Sequence, residues 1–306
     1  MRLDSEVVSS VEKPLTIRSY GKWILAGEHA VLRGCPALVF PLESRYIETK
    51  LSRFDESVRV QFTGKYSEEI SLLFWGLVDR ALEKLNRQRQ ELRGHLQMDC
   101  QIPLGAGLGA SAALCVSVCR WMVNLKWLTN EDIYDFAREL EDLFHGESSG
   151  VDIAVALGAH GIRFVRGRER LPLNLNWKPQ WFLSYCGQRG VTSECVHKIR
   201  ELTHKDPHFM LKLDQQMAEA VKEAEEALIQ DQSDASLAQL ALAINQASDC
   251  FRQWGLCEGK LEEHMKWLRD QGALAIKPTG SGGGGYVLSL WDKELSPSLK
   301  KHLFPA

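Results

Sequence analysis

PLGAGLGASAAL, Pro103–Leu114, sets Gly105, Gly107 and Gly109 two residues apart, immediately ahead of a run of small and apolar residues. The stretch before it, His95–Ile102, alternates with Leu96, Met98 and Cys100 on one face, as a half-buried strand does. The stretch after it, from about Ala112, reads as a helix. A strand that enters a helix through glycines leaves successive backbone N–H groups unpaired and unobstructed by Cβ atoms, and the helix dipole adds positive potential there. Such a loop cradles a polyphosphate, and Ser111 in the first turn offers its hydroxyl to a phosphate or to Mg²⁺. No Gly-Lys-Ser/Thr follows, so this is not a Walker A loop, and the G-x-G-x-G spacing is not the dinucleotide fingerprint. Taken alone, the segment also admits the lesser reading of a packing turn between strand and helix.

The segment also carries a false membrane signal. Ile102–Cys119 has no formal charge and contains Gly105-x-x-x-Gly109, the spacing of a transmembrane dimerisation face. A proline and three glycines crowd its start, two serines follow and Arg120 with Trp121 ends it, so only about half can be regular helix. It reads as a loop feeding a buried helix.

Working outward, Leu15–Leu25 and Pro36–Phe40 are short apolar runs, and Tyr46–Leu51 and Val58–Phe62 alternate as strands do. Ser67, Glu68 and Glu69 open a helix whose apolar face runs through Ile70, Leu73, Phe74, Leu77, Val78, Ala81, Leu82 and Leu85, with an end expected near Gly94. Thr129 and Asp132 mark the start of another helix, to about Phe144, and Val151–Leu157 and Gly161–Val165 continue the same part. Asn174–Pro179 is a boundary candidate. Beyond it, Trp181–Cys186 is strand-like, helices are expected at roughly 207–230, 233–254 and 259–271, and the tail reads as strand, glycine loop, strand. The order is α+β in two parts, residues 1–176 and 177–306.

Composition narrows the function. The 306 residues are 44% hydrophobic, and 37 Lys plus Arg stand against 40 Asp plus Glu, a net charge of −3 that provides no basic face for nucleic acid. Arg163, Arg166, Arg168 and Arg170 are read as the rim of a hairpin. The eight cysteines form no C-x-x-C pair, His204 and His208 lack the Glu of a metalloprotease helix, and zinc is not indicated. The first fourteen residues lack the apolar core of a signal peptide, so the cytoplasm is the expected compartment and no membrane association is expected. The expected partner is a small molecule, with amphipathic helices leaving room for a homodimer.

SYGKWILAGEHAVLRGCPAL, Ser19–Leu38, places Lys22, Glu28 and His29 among apolar and small residues, where charged groups must be paired or functional. This segment resembles the first motif of the GHMP small-molecule kinases, and GEHAVLRG is similar to the version carried by mevalonate kinases. PLGAGLGASAAL resembles the second, ATP-binding motif, KPTGSGGGG (Lys277–Gly285) the third, and HGESSGVD (His145–Asp152) a fourth segment. The four occur in the family's order across nearly the whole chain.

The resemblance implies a two-domain fold, a left-handed β-α-β N-terminal domain and a ferredoxin-like C-terminal domain, with the active cleft between them. It implies ATP-dependent phosphorylation of the 5-hydroxyl of mevalonate, with Asp152 as catalytic base and Lys22 lowering the pKa of the substrate hydroxyl. ATP would be held by Pro103, Gly105, Ala106, Gly107, Leu108, Gly109, Ala110 and Ser111. Mg²⁺ would be held by Ser111 and by Glu141, eleven residues before Asp152. Lys22, Glu28, His29 and Thr279 would line the acceptor pocket. From the residues alone, Asp152 reads first as a helix cap after Gly150, and Glu141 also as one acid of the run ELED.

The chain departs from the family pattern at Ala110 for the first of two serines, at Ser281 for a common alanine, and at Ser19-Tyr20 where a proline often precedes Gly-Lys. Glu147-Ser148 replaces Asn-Pro, and the added carboxylate disfavours an already phosphorylated acceptor. The alternatives are a GHMP kinase acting on phosphomevalonate, homoserine or a sugar, and a catalytically silent binding protein of the same fold. The second should have lost Lys22 or Asp152.

Overall fold

The computed structural model describes residues 14–145, 148–158 and 160–306. The first half builds a six-stranded sheet. Strand β1 (Leu15–Ala26) runs antiparallel to β2 (Ala37–Ser57), and the turn between them contains a short 3₁₀ segment, Ala30–Arg33. The two short strands expected at Pro36–Phe40 and Tyr46–Leu51 are one strand. Between the pairs Tyr20–Tyr46 and Gly21–Leu42 the register shifts, so residues 43–45 bulge and β2 runs on past Pro41.

β3 (Arg59–Thr63), α1 (Ser67–Leu85) and β4 (Arg93–Cys100) make a β-α-β unit in which β3 and β4 are parallel. Helix α1 stops well short of Gly94. Asn86 takes the left-handed conformation there and donates its N–H to the Glu83 carbonyl. Asn tolerates that conformation, and the polar run after it offers no apolar face to prolong the helix. β4 passes into the glycine loop and then α2 (Ala110–Asn124), in which eleven of the fifteen residues are buried. α3 (Ile133–His145) and α4 (Val151–Leu157) pack against it. The hairpin of β5 (Ile162–Val165) and β6 (Glu169–Pro172) completes the sheet, in the order β3-β4-β2-β5-β6 with β1 on β2. Two of the hairpin arginines illustrate contacts made within the protein. Arg163 pairs with Glu225 at 3.2 Å and Arg170 lies 3.8 Å over the Tyr134 ring.

The second half comprises β7 (Gln180–Tyr185), α5 (Thr192–Lys205), α6 (Pro207–Ile229), α7 (Asp234–Gln253), α8 (Lys260–Asp270), β8 (Ala275–Thr279), β9 (Tyr286–Trp291) and β10 (Phe304–Pro305). Its sheet runs β10-β7-β9-β8 with every neighbour antiparallel. Counted within this half, the spatial order is fourth, first, third, second, a ferredoxin-like split β-α-β arrangement in which a 3₁₀ turn replaces the last helix. Helix α5 is absent from the sequence reading because only Cys195 and Ile199 of it are buried, too thin an apolar stripe to register.

An aromatic cluster joins the halves. Trp23 on β1 lies 4.7 Å from Phe40 on β2 and 4.8 Å from Trp181 on β7. Such pairs contribute roughly 0.5–1.5 kcal/mol each beyond the area they bury. All eight cysteines are free thiols. Among the described residues no helix is long and apolar enough to cross a membrane.

Candidate active site

The second half of β1 is buried, and Lys22 rises from it beside the glycine loop. The Lys22 N–H donates to the Leu108 carbonyl at 2.9 Å. The lysine stem then crosses Gly109, where a Cβ would lie 2.9 Å from Lys22 Cγ. Gly109 also takes a left-handed φ of +75° as the N-cap of α2, so both the turn and the passage of the lysine require glycine here. Beyond it, Lys22 Nζ meets Asp152 Oδ1 at 3.2 Å. Asp152 sits in the first turn of α4, whose N-cap is Gly150 rather than Asp152. Its side chain is thus left for Lys22 rather than for the helix end. The lysine is nearly buried and the acid keeps 22% exposure, so the pair opens toward solvent on the acid's side.

Glu141 stands behind this pair and is buried at 2% exposure, not exposed among its acidic neighbours. Burial first, and then the charge of Asp152, push its carboxyl up to about 8, against the opposing effect of a hydrogen bond from Ser148 and the charge of Lys22. Its Oε2 accepts from Ser148 Oγ, while its Oε1 is buried with no partner. Ser148 also accepts the Gly150 N–H at 3.0 Å and donates its own N–H to Asp142 at 2.7 Å. It therefore ties Glu141 to the turn that presents Asp152. Ser111 lies in the first turn of α2, half-buried. Glu147, to which acceptor discrimination was attributed, lies outside the described residues.

The two glycine loops meet. A Cβ on Gly107 would sit 3.3 Å from the Thr279 carbonyl, and one on Gly285 would sit 3.0 Å from the Ala106 carbonyl. The segment 280–285 thus lies against 105–107, backbone on backbone. The Arg189 guanidinium rests on Gly105 at the exposed edge of this pair of loops, a cation that no local sequence signal marked.

Glu28, His29 and Thr279 form a second, drier cluster. Thr279 Oγ1 accepts the Ile24 N–H at 2.8 Å and donates to the Ile24 carbonyl at 3.2 Å, tying β8 to β1. Glu28 is paired with Lys277, which also donates to the Ile24 and Pro278 carbonyls, at 3.2 and 2.6 Å, and lies over the Phe251 ring. Burial pushes the Glu28 carboxyl up and the Lys277 amine down, and their contact opposes both shifts. His29 sits with its Nε2 2.8 Å from the Ser281 carbonyl, edge-on to Phe251 and Trp254, and burial lowers its pKa to about 4. It is a neutral ring that joins the first motif to the third. Lys277 was missed, although the rule that singled out Lys22, a charge on an apolar strand, applies to it equally.

The model of the GHMP kinases N terminal domain matches residues 75–159. The chain is 30% identical to a mevalonate kinase of Thermococcus gammatolerans, over 88% of this chain and 86% of that one. In structure it is similar to L. major mevalonate kinase solved in complex with R-mevalonate, with a TM-score of 0.76 at 24% identity over 92% of this chain and 89% of that one. It is similar also to the Methanococcus jannaschii mevalonate kinase, with a TM-score of 0.74 at 16% identity over 96% and 98%.

Proposed function

The chain belongs to the mevalonate kinase family within the GHMP kinases, and on that premise we propose that it transfers the γ-phosphoryl group of ATP to the 5-hydroxyl of mevalonate, with Asp152 as base. The observation that carries the reading is the 3.2 Å contact of Lys22 Nζ with Asp152 Oδ1, at the mouth of a loop whose glycines bare their amides.

The chemistry follows from the positions of the groups. The hydroxyl oxygen attacks the γ-phosphorus, its proton passes to an Asp152 carboxylate oxygen, and ADP leaves. Lys22 holds Asp152 in place and stabilises the negative charge that develops on the attacking oxygen. The amides of residues 105–111 and the start of α2 take the phosphates, with Arg189 as a second cation at the loop's edge. Positioning and fixed charge supply most of the rate, and no covalent intermediate is needed.

A divalent cation fits the residues present. Glu141 offers a buried oxygen with no partner and a carboxyl held uncharged by burial and by Asp152, which a cation would relieve. Among the described residues no three His, Cys, Asp or Glu side chains converge, so phosphate oxygens would complete the coordination of Mg²⁺ at Ser111 and Glu141. The ion would neutralise phosphate charge. The free thiols suit a reducing cytoplasm, the compartment we assign.

A coupled ADP-release assay across mevalonate, phosphomevalonate, homoserine and galactose tests the reading. Mevalonate is expected to turn over at least about tenfold faster than the rest. A preference for another acceptor would reassign the substrate, and no turnover with any would favour a silent binding protein.

A further inference from the structure

The turn that carries Glu28 and His29 is strained. His29 has φ +59° and ψ −46°, and the Ala30 N–H reaches back to the Glu28 carbonyl at 2.6 Å. This is a γ-turn centred on a residue with a side chain, a conformation that costs free energy and persists only where its surroundings over-determine it. The restraints come from the second half of the chain. Asp214 of α6 accepts from Arg33 Nε and Nη2, both at 2.6 Å, through a planar fork that fixes orientation as well as distance. Asp214 is nearly buried and Arg33 is a quarter exposed. One turn further along α6, Met217 Sδ takes the Gly27 N–H at 3.2 Å. The ends of the turn are therefore gripped by one helix while its centre points the His29 ring at Ser281.

We propose that Arg33 and Asp214 are positioning residues, an ion pair remote from the reacting atoms that holds the Glu28–His29 turn in its strained shape and so sets the acceptor site. This deepens the kinase reading and rests on it for the location of the acceptor. Arg33 and Asp214 touch neither Lys22 nor Asp152 among the described contacts, so their loss changes the population of the competent turn and leaves the chemistry of a bound acceptor intact.

Asp214→Asn removes the charge and half of the fork at nearly constant volume. It is expected to raise the acceptor KM about tenfold, as when the competent conformer falls to about a tenth of the population, with kcat at saturating acceptor within about twofold. Arg33→Lys keeps the charge but cannot make the fork, and is expected to do the same. The second readout is the titration of the His29 imidazole by NMR, assigned from the signal lost in His29→Asn. The charges that bear on this ring are Arg33, Lys277 and Asp214. In the parent the ring is expected to stay neutral down to about pH 4. In both variants the released ring is expected to titrate near about 6.5, the ordinary histidine value. An unchanged KM with an unchanged titration, whether or not the melting temperature falls, overturns the proposal and leaves the pair as a tie between the halves. If Asp214→Asn does not fold, Arg33→Lys, which leaves no acid unpaired, carries the same test. The titration needs no substrate, so a parent without mevalonate turnover would sink the kinase reading while leaving this inference to be judged by the ring.

Discussion

Two lysine–carboxylate pairs flank the same strand, and they are built for opposite purposes. Lys22 meets Asp152 at 3.2 Å with the acid partly open to solvent, and behind them stands a third carboxyl, Glu141, with an unused oxygen. Lys277 and Glu28 are sealed, at 0% and 2% exposure, and the lysine spends further hydrogen bonds on the Ile24 and Pro278 carbonyls. The same residue types thus give one corner that keeps bonding capacity for a ligand and another whose lysine is consumed in joining β8 to the turn after β1. Glu28 also keeps a buried oxygen, Oε2, without a partner, so the exposure of the paired acid and the number of carbonyls its lysine reaches, rather than charge or spare oxygens, separate the proposed machinery from the scaffold.

Lys277→Met should give the largest effect on the scaffold. It leaves Glu28 as an uncompensated buried carboxylate, and breaking such a pair costs about 3–5 kcal/mol of stability, readable by urea unfolding. Lys22→Met should instead cost turnover, about 10²- to 10³-fold in kcat as for loss of a transition-state donor, with a smaller change in unfolding than Lys277→Met. If Lys22→Met unfolds the protein and Lys277→Met mainly slows it, the contrast is inverted and the assignment of machinery to the first pair fails.

A smaller effect sharpens the scaffold side. Burial lowers the pKa of His29 to about 4 from 6.5, so between these values the unfolded chain binds a proton that the folded chain does not. Stability must then fall as pH drops through that window and level off below it. Between pH 7 and 4.5 the parent is expected to lose about 2–3 kcal/mol more than His29→Asn, from the 1.36 kcal/mol per pKa unit that linkage implies. Unfolding curves that shift in parallel for the two proteins would show that the ring is not held in a dry environment.

These contrasts also explain what the sequence made legible. Lys22, the glycine loop and Asp152 lie in short strings whose residue types constrain the backbone locally, and the geometry brings them together. Most strands and helices followed from periodicity. The end of α1 was misplaced because a left-handed Asn86 did the work assigned to Gly94, and α5 was missed because its buried face is two residues wide. The Glu28–Lys277 and Arg33–Asp214 pairs join residues far apart in the chain, and no local pattern encodes which charge meets which. Thr279 and His29 were placed at the acceptor from motif alone. Their polar atoms prove to be engaged with Ile24 and Ser281, so in the proposed acceptor pocket they would shape the wall rather than bind the acceptor.

The central claim is that Asp152 takes the proton of the acceptor hydroxyl beside Lys22. It is tested most directly by single-turnover phosphoryl transfer in Asp152→Asn, with ATP affinity measured alongside. The account predicts a transfer rate lower by about 10²- to 10⁴-fold, the usual worth of a general base, with ATP affinity within about threefold of the parent. Transfer at the parent rate, with ATP still bound, would contradict it.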